Sequence, residues 1–253
     1  MAEKVFFLVD ELRIVGEVYY PRQGKKPYPA LCLCHGIPAQ PPDPADRGYP
    51  SLAERFAAEG FLTLIFNFRG AGESEGNLDI LGWTHDLEAA IDYLSRLEEV
   101  DKNRLSVMGF SGGAAVAVYV AAKEKRISSL IACACPAEFS AFTKGERLQE
   151  FIAQCRRVGT IKEDNFPPSP EQWARNFELV SPINWISHIS PRPILILHGE
   201  NDELVSLAHA QRLYDKAGEP KEMVIIPGGE HRLRTNKLAM DTALNWLKKF
   251  SGN

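Results

Sequence analysis

The chain has 253 residues, 45% of them hydrophobic and 25% charged, with a formal net charge of −4. That length can bury a large core without disulfides or metals, and the composition is ordinary for a globular protein. A net negative chain lacks the basic stripe that nucleic-acid binding requires, so nucleic acid is excluded as a partner.

The N-terminal apolar run Val5–Val9 ends at Asp10. It is too short for a signal-peptide core or a membrane span. A cytoplasmic location with no membrane partner is the expectation. Val5–Asp10 and Arg13–Tyr20 are rich in β-branched and aromatic residues and closely joined, which predicts a hairpin. Later strand candidates are Ala30–Cys34, Leu62–Phe68, Leu105–Phe110, Leu130–Cys135, Ile194–His198 and Met223–Ile226. They are short and apolar on both faces, as strands buried in a parallel sheet should be.

Helix candidates fall between them. Ser51–Glu59 starts with a Ser cap after Pro50. Asp86–Glu98 puts Leu87, Ala90, Ile91 and Leu94 on one face, the period of an amphipathic helix. Gly112–Lys123 is rich in Ala and Val and should be largely buried, and Ser206–Ala217 and Lys237–Phe250 complete the set. Strands alternating with helices predict an α/β fold, with a mostly parallel eight-stranded sheet and helices on both faces.

Residues Ala137–Ser181 break the alternation. They carry Phe139, Phe142, Phe151, Phe166, Trp173 and Phe177, and the rigid turn Pro167-Pro168-Ser169-Pro170. The segment is too apolar for a solvated linker and too long for a simple crossover. It reads as an insertion packed over the carboxyl edge of the sheet of one domain spanning 1–253. Phe142 and Trp173 are its candidate substrate-binding residues. The Pro-rich loop Pro38–Pro50 is expected beside the same mouth.

The cysteines are Cys32, Cys34, Cys133, Cys135 and Cys155, an odd number that predicts free thiols. Two C-x-C pairs lie in apolar runs, where cysteine packs as a small hydrophobe. No metal site is expected, since the spacing matches no familiar zinc pattern.

The strongest chemical signal is Gly109-Phe110-Ser111-Gly112-Gly113, which follows a predicted strand and opens a predicted helix. A G-x-S-x-G nucleophile elbow requires that context. The turn would present the Ser111 hydroxyl above the sheet, with the Gly112 N–H as one oxyanion donor. Serine needs a base, and His231 lies in the loop after the last strand candidate. The base needs an acid to orient it. Glu200, Asp202 and Glu203 all follow Ile194–His198 within reach on spacing alone.

The order Ser111, acid, His231 is that of the α/β-hydrolases, and the chain resembles that superfamily over nearly its full length. Gly199-Glu200-Asn201-Asp202 after His198 is similar to the family's H-G-x-x-D loop, which selects Asp202. His35-Gly36-Ile37-Pro38 is similar to the H-G-x oxyanion loop. That implies the Ile37 N–H as the second donor and a structural role for His35. Phe68-Arg69-Gly70-Ala71-Gly72-Glu73-Ser74 resembles the R-G-x-G-x-S turn of esterases and dienelactone-hydrolase-like members. The insertion resembles the lid of cinnamoyl and feruloyl esterases.

The resemblance implies a serine hydrolase without cofactors that cleaves a small-molecule carboxylic ester with an apolar or aromatic portion. A peptidase or thioesterase with the same three residues is the alternative. A ligand-binding homologue that has lost catalysis is a further one, and a homo-oligomer is compatible with the sequence.

Overall fold

The structure is a computed structural model and describes residues 2–40 and 47–251. β1 (Ala2–Val9) and β2 (Leu12–Tyr19) form the expected hairpin, closed by Asp10-Glu11 with both residues at positive φ. Two such residues make the turn whose twist suits a two-residue hairpin loop.

The remaining strands are β3 (Tyr28–Cys34), β4 (Leu62–Phe66), β5 (Val100–Phe110), β6 (Ile127–Cys133), β7 (Ile194–Gly199) and β8 (Lys221–Ile226). The sheet order is β1-β2-β4-β3-β5-β6-β7-β8. β2 pairs antiparallel with β4, and every later pairing is parallel. All five residues of β4 are buried, as for a strand covered on both faces.

The helices divide between the faces. α1 (Gly48–Ala58) and α7 (Lys237–Ser251) cover one side, with Leu31, Leu33, Phe56 and Leu247 in its core. α2 (Ile80–Arg96), α3 (Gly112–Lys123) and α6 (Leu207–Lys216) cover the other, with Cys32, Cys34, Leu87 and Val116 in theirs. Alternate residues of β3 therefore feed opposite cores, the period of two that a strand dictates. The chain has the α/β-hydrolase fold.

Several boundaries differ from the sequence reading: β5 begins at Val100, five residues before Leu105, and α1 begins at Gly48, so Ser51 lies inside the helix and does not cap it. α2 starts at Ile80, six residues before Asp86, capped by the Asp79 carboxylate, which accepts the Leu81 N–H. Its first turn, Ile80-Leu81-Gly82-Trp83, is too apolar to show an amphipathic period, and this concealed it. Of the expected loop Pro38–Pro50, residues 41–46 lie outside the described residues. Pro50 falls in the first turn of α1, where its missing N–H costs nothing.

The insertion is folded. It contains α4 (Glu146–Val158) and α5 (Pro170–Val180). α5 is capped by Ser169, whose hydroxyl accepts the Gln172 N–H, and Pro170 occupies its first position.

Candidate active site

The order of the sheet reverses between β3 and β5, the point at which open α/β sheets bind ligands outside the carboxyl ends of their strands. The loops after β3, β5, β7 and β8 carry the expected triad and oxyanion residues, and the insertion after β6 carries Phe142 and Trp173.

Ser111 sits between β5 and α3 at φ 52°, ψ −123°. A non-glycine residue in that region is strained, and strain of this kind persists only where neighbours hold it. Its N–H donates to the Cys133 carbonyl at 2.9 Å, and its carbonyl receives Ala114 at 3.0 Å and Ala115 at 3.1 Å. The turn is tight because α3 passes close to β3. A Cβ on Gly113 would lie 2.1 Å from the His35 carbonyl oxygen, so only glycine fits.

His231 follows β8. Its Nε2 lies 3.0 Å from Ser111 Oγ, and its Nδ1 lies 3.0 and 2.8 Å from the Asp202 carboxylate oxygens. A carboxylate only accepts, so Nδ1 carries the proton and Nε2 is free to accept the Ser111 hydroxyl. Asp202 Oδ1 also accepts the N–H groups of Leu204 at 3.0 Å and Val205 at 2.8 Å. Burial disfavours the charged carboxylate. The His231 ring and the Val205 N–H outweigh it and hold the carboxyl below its ordinary range.

The three acids that spacing left open separate in space. Glu200 turns away and accepts the Gly228 N–H at 2.9 Å, and Glu203 is exposed. The acid loop and the histidine loop are stitched together by their backbones. Asn201 N–H donates to the Gly229 carbonyl at 2.8 Å, and Glu200 N–H to the Ile226 carbonyl at 3.0 Å. These bonds fix the distance between Asp202 and His231.

The Ile37 nitrogen faces Gly112. A Cβ on Gly112 would lie 3.5 Å from it. Gly112 opens α3, where the first N–H groups have no acceptor within the helix. Among the described residues neither the Ile37 nor the Gly112 N–H has a protein acceptor. Two N–H groups without a protein acceptor among the described residues thus lie in the loops beside Ser111.

His35 stands beneath this loop. Its Nδ1 donates to the Gly36 carbonyl at 2.7 Å and its Nε2 accepts the Phe68 N–H at 3.0 Å. Burial pushes its pKa down to about 4 against the opposing Gly36 carbonyl. The ring meets Phe68 and Trp83 edge-on, with centroids 5.1 and 5.3 Å away.

The sequence reading missed a buried ion pair below the site. Arg69, in the R-G-x-G-x-S turn, donates through its backbone N–H and guanidinium to Asp86, whose side chain is fully buried. The guanidinium also reaches Asp10 in the hairpin turn at 2.9 Å. The arginine was visible in its motif, but nothing local marks Asp10 and Asp86 as its partners.

The two lid residues fare differently. Phe142 is half-buried at the edge of an aromatic cluster, 4.4 Å from Phe151 and 5.9 Å from Phe177 between ring centroids. Trp173, expected to line the pocket, is only 3% exposed and lies inside that cluster. Its indole N–H donates to the Leu78 carbonyl at 2.9 Å, which ties the lid to the segment before α2. It is packing material because a helix of the lid turns its apolar face inward, a direction that residue content alone does not reveal.

All five cysteines are buried free thiols. Among the described residues no three His, Cys, Asp or Glu side chains converge as a metal site would require. No helix there is long and apolar enough to cross a membrane.

The family model BD-FAE matches residues 17–217. YfhR of Escherichia coli K12 is 28% identical over 171 residues, covering 68% of this chain and 53% of YfhR, so the chain spans about half of that relative's length. Among solved structures, the α/β-hydrolase GrgF of Penicillium sp. sh18 superposes with a TM-score of 0.77 at 19% identity, over 100% of both chains. Est1E of Butyrivibrio proteoclasticus, solved with ferulic acid bound, gives a TM-score of 0.71 at 19% identity over 97% of each chain. At such identity these structures speak to the fold alone.

Proposed function

The chain belongs to the BD-FAE family, and from that premise we propose that it is a serine hydrolase cleaving carboxylic esters through an acyl-enzyme. The observation that carries the reading is the continuous hydrogen-bonded line from Ser111 Oγ through His231 to Asp202, 3.0 and 2.8 Å long at its two links.

The steps follow from the positions of donors and acceptors. Ser111 Oγ attacks the ester carbonyl carbon while its proton passes to His231 Nε2. The carbonyl oxygen becomes an oxyanion, which the N–H groups of Ile37 and Gly112 receive. Asp202 keeps the proton on His231 Nδ1 and stabilises the imidazolium. As the tetrahedral intermediate collapses, His231 protonates the departing alcohol oxygen. Water then enters by the same route in reverse, leaving the acid and a restored serine.

The substrate is an ester with an apolar or aromatic portion. The half-buried ring of Phe142, at the edge of the lid's aromatic cluster, supports this. Phe142 is the lid aromatic of the expected pair with surface left to touch a substrate. Trp173 would act only through the lid's packing.

A fluorophosphonate probe tests the reading, because only an activated serine reacts rapidly with it. The label should appear on the peptide carrying Ser111, and Ser111→Ala should lose it together with about a million-fold in kcat on an aryl ester. Retention of a tenth of the activity in Ser111→Ala would refute the assignment.

A further inference from the structure

Behind Asp202 lies a residue that the mechanism above does not use. His198, the penultimate residue of β7, is fully buried. Its Nε2 lies 2.7 Å from the Val205 carbonyl oxygen and 3.5 Å from Asp202 Oδ2. A carbonyl only accepts, so Nε2 carries a proton and donates it to Val205. The other nitrogen, Nδ1, is buried with no partner among the described residues. A buried imidazole with one nitrogen left unsatisfied carries a free-energy cost. A residue kept only for its bulk would be better filled by an apolar side chain.

The peptide that His198 grips is the one that orients Asp202. Val205 gives its carbonyl to His198 and its N–H to Asp202 Oδ1 at 2.8 Å. Apolar burial does not hold this turn, since Leu204 at its tip is 73% exposed. Polar contacts must fix it. Two of them are backbone bonds at its start, Asn201 N–H to Gly229 at 2.8 Å and Asp202 N–H to Gly199 at 3.3 Å. The far end of the turn is fastened by His198.

We propose that His198 is a positioning residue, which anchors the Asp202–Val205 turn and so sets the angle at which the Asp202 carboxylate meets His231. The proposal rests on the serine-hydrolase reading above. It assigns to a buried histidine a role in kcat without contact with substrate.

Three substitutions test it on the full chain, with an aryl ester as substrate. His198→Phe keeps a ring and removes the donor. His198→Gln places an amide N–H at the reach of Nε2, and His198→Asn is too short to reach Val205. Loss of alignment of about an ångström at a reacting group costs on the order of a hundredfold, so His198→Phe should lose about that factor in kcat with KM little changed. His198→Gln should recover most of the loss, and His198→Asn should not. In an Asp202→Asn background, His198→Phe should change kcat little, because residues acting as one unit are strongly non-additive. Melting temperatures of all variants separate this from a folding defect. If His198→Phe is unfolded, the contrast between Gln and Asn decides alone.

Near-wild-type kcat in both His198→Phe and His198→Asn would overturn the proposal, as would full additivity with Asp202→Asn. Absence of fluorophosphonate label on wild-type Ser111 would instead overturn the underlying reading, and it is scored before any His198 variant.

Discussion

Two regions of this molecule differ in the contacts that fix their functional side chains. The loops at the carboxyl ends of β3, β5, β7 and β8 are fixed by backbone geometry and polar contacts. Ser111 is wedged at positive φ, and Asp202 takes two N–H groups and the His231 ring. The lid, 137–181, is held by rings. Phe139, Phe142, Phe151, Trp173 and Phe177 pack on one another at 4.4 to 5.9 Å between centroids. Polar contacts at its margins tie it to the rest, among them Trp173 to the Leu78 carbonyl, the Leu78 N–H to the Thr160 carbonyl at 2.7 Å, and Asn77 Oδ1, which accepts the Lys162 and Glu163 N–H groups, but its interior is rings. Directional bonds fix an atom to fractions of an ångström, as proton transfer demands. Apolar packing conserves volume and shape but tolerates exchange of one ring for another. Substitutions in the first region should therefore cost rate with little loss of stability, and those in the second should cost stability with little loss of rate.

The largest effect under this rule should appear at the acid. Asp202→Asn preserves shape and two accepted N–H bonds, yet permits the wrong tautomer of His231. A loss of roughly ten-thousand-fold in kcat is expected, with the melting temperature nearly unchanged. Glu200→Gln and Glu203→Gln should be mild, since neither side chain reaches His231. Steady-state kinetics on all three checks the assignment. A crippled Glu203→Gln enzyme would break it.

A smaller effect is expected at the oxyanion loop. Ile37→Pro deletes one N–H and keeps an apolar side chain, so it should cost about a hundred- to a thousand-fold in kcat. Ile37→Ala keeps the donor and most of the rate. Proline also restricts φ, and an unchanged melting temperature with unchanged affinity for an uncharged ground-state ligand excludes simple distortion. A well-folded Ile37→Pro enzyme with near-normal kcat would place the donor elsewhere in the loop.

The difference between the regions also governs what could be read from the sequence. Ser111 stands in a turn so constrained that Gly109 and Gly113 leave no room for a Cβ, and His231 follows the last strand. Both leave a local trace. Asp202 leaves half of one, because Glu200, Asp202 and Glu203 share a turn and differ only in the direction their side chains take. Resemblance selected Asp202, whereas spacing had left the three open. The lid leaves least. Its content announced a packed insertion, but whether Trp173 faced substrate or its own cluster depends on how α5 rotates against α4. The pairing of Arg69 with Asp86 and Asp10 is equally silent, because contacts distant in sequence carry no local signature.

Trp173 tests the other half of the comparison. Trp173→Ala empties a site that is 3% exposed and strands the Leu78 carbonyl. Such truncations cost about 3–5 kcal/mol, so urea unfolding should show a loss of that order. Turnover of a small acetate ester by the folded fraction should stay near wild type. Trp173→Phe should restore most of the stability. A large loss of kcat on the small ester, with stability intact, would move Trp173 into the site and erase the distinction between the regions.

The smallest effect is expected where the two modes of attachment overlap, at His35. Its ring is packed like a lid residue, against Phe68 and Trp83, yet both nitrogens are bonded as in the strand-end loops. Burial holds its pKa at about 4 in the fold. In the unfolded chain a histidine titrates near about 6.5. The sign follows from proton uptake. Between these two values the unfolded state binds a proton that the native state refuses. Stability is therefore complete above about pH 6.5, falls as the pH drops, and stops falling below about pH 4. At about 1.4 kcal/mol per pH unit, the total is roughly 3 kcal/mol. Carboxylates also titrate in this window, so the quantity to measure is a difference. His35→Gln keeps a polar side chain and cannot titrate. The stability advantage of wild type over His35→Gln, from urea unfolding, should be greatest at pH 7 and shrink steadily towards pH 4. A difference independent of pH would mean that His35 is not held neutral. The clamp on Gly36 and Phe68, which sets the oxyanion loop, would then need another cause.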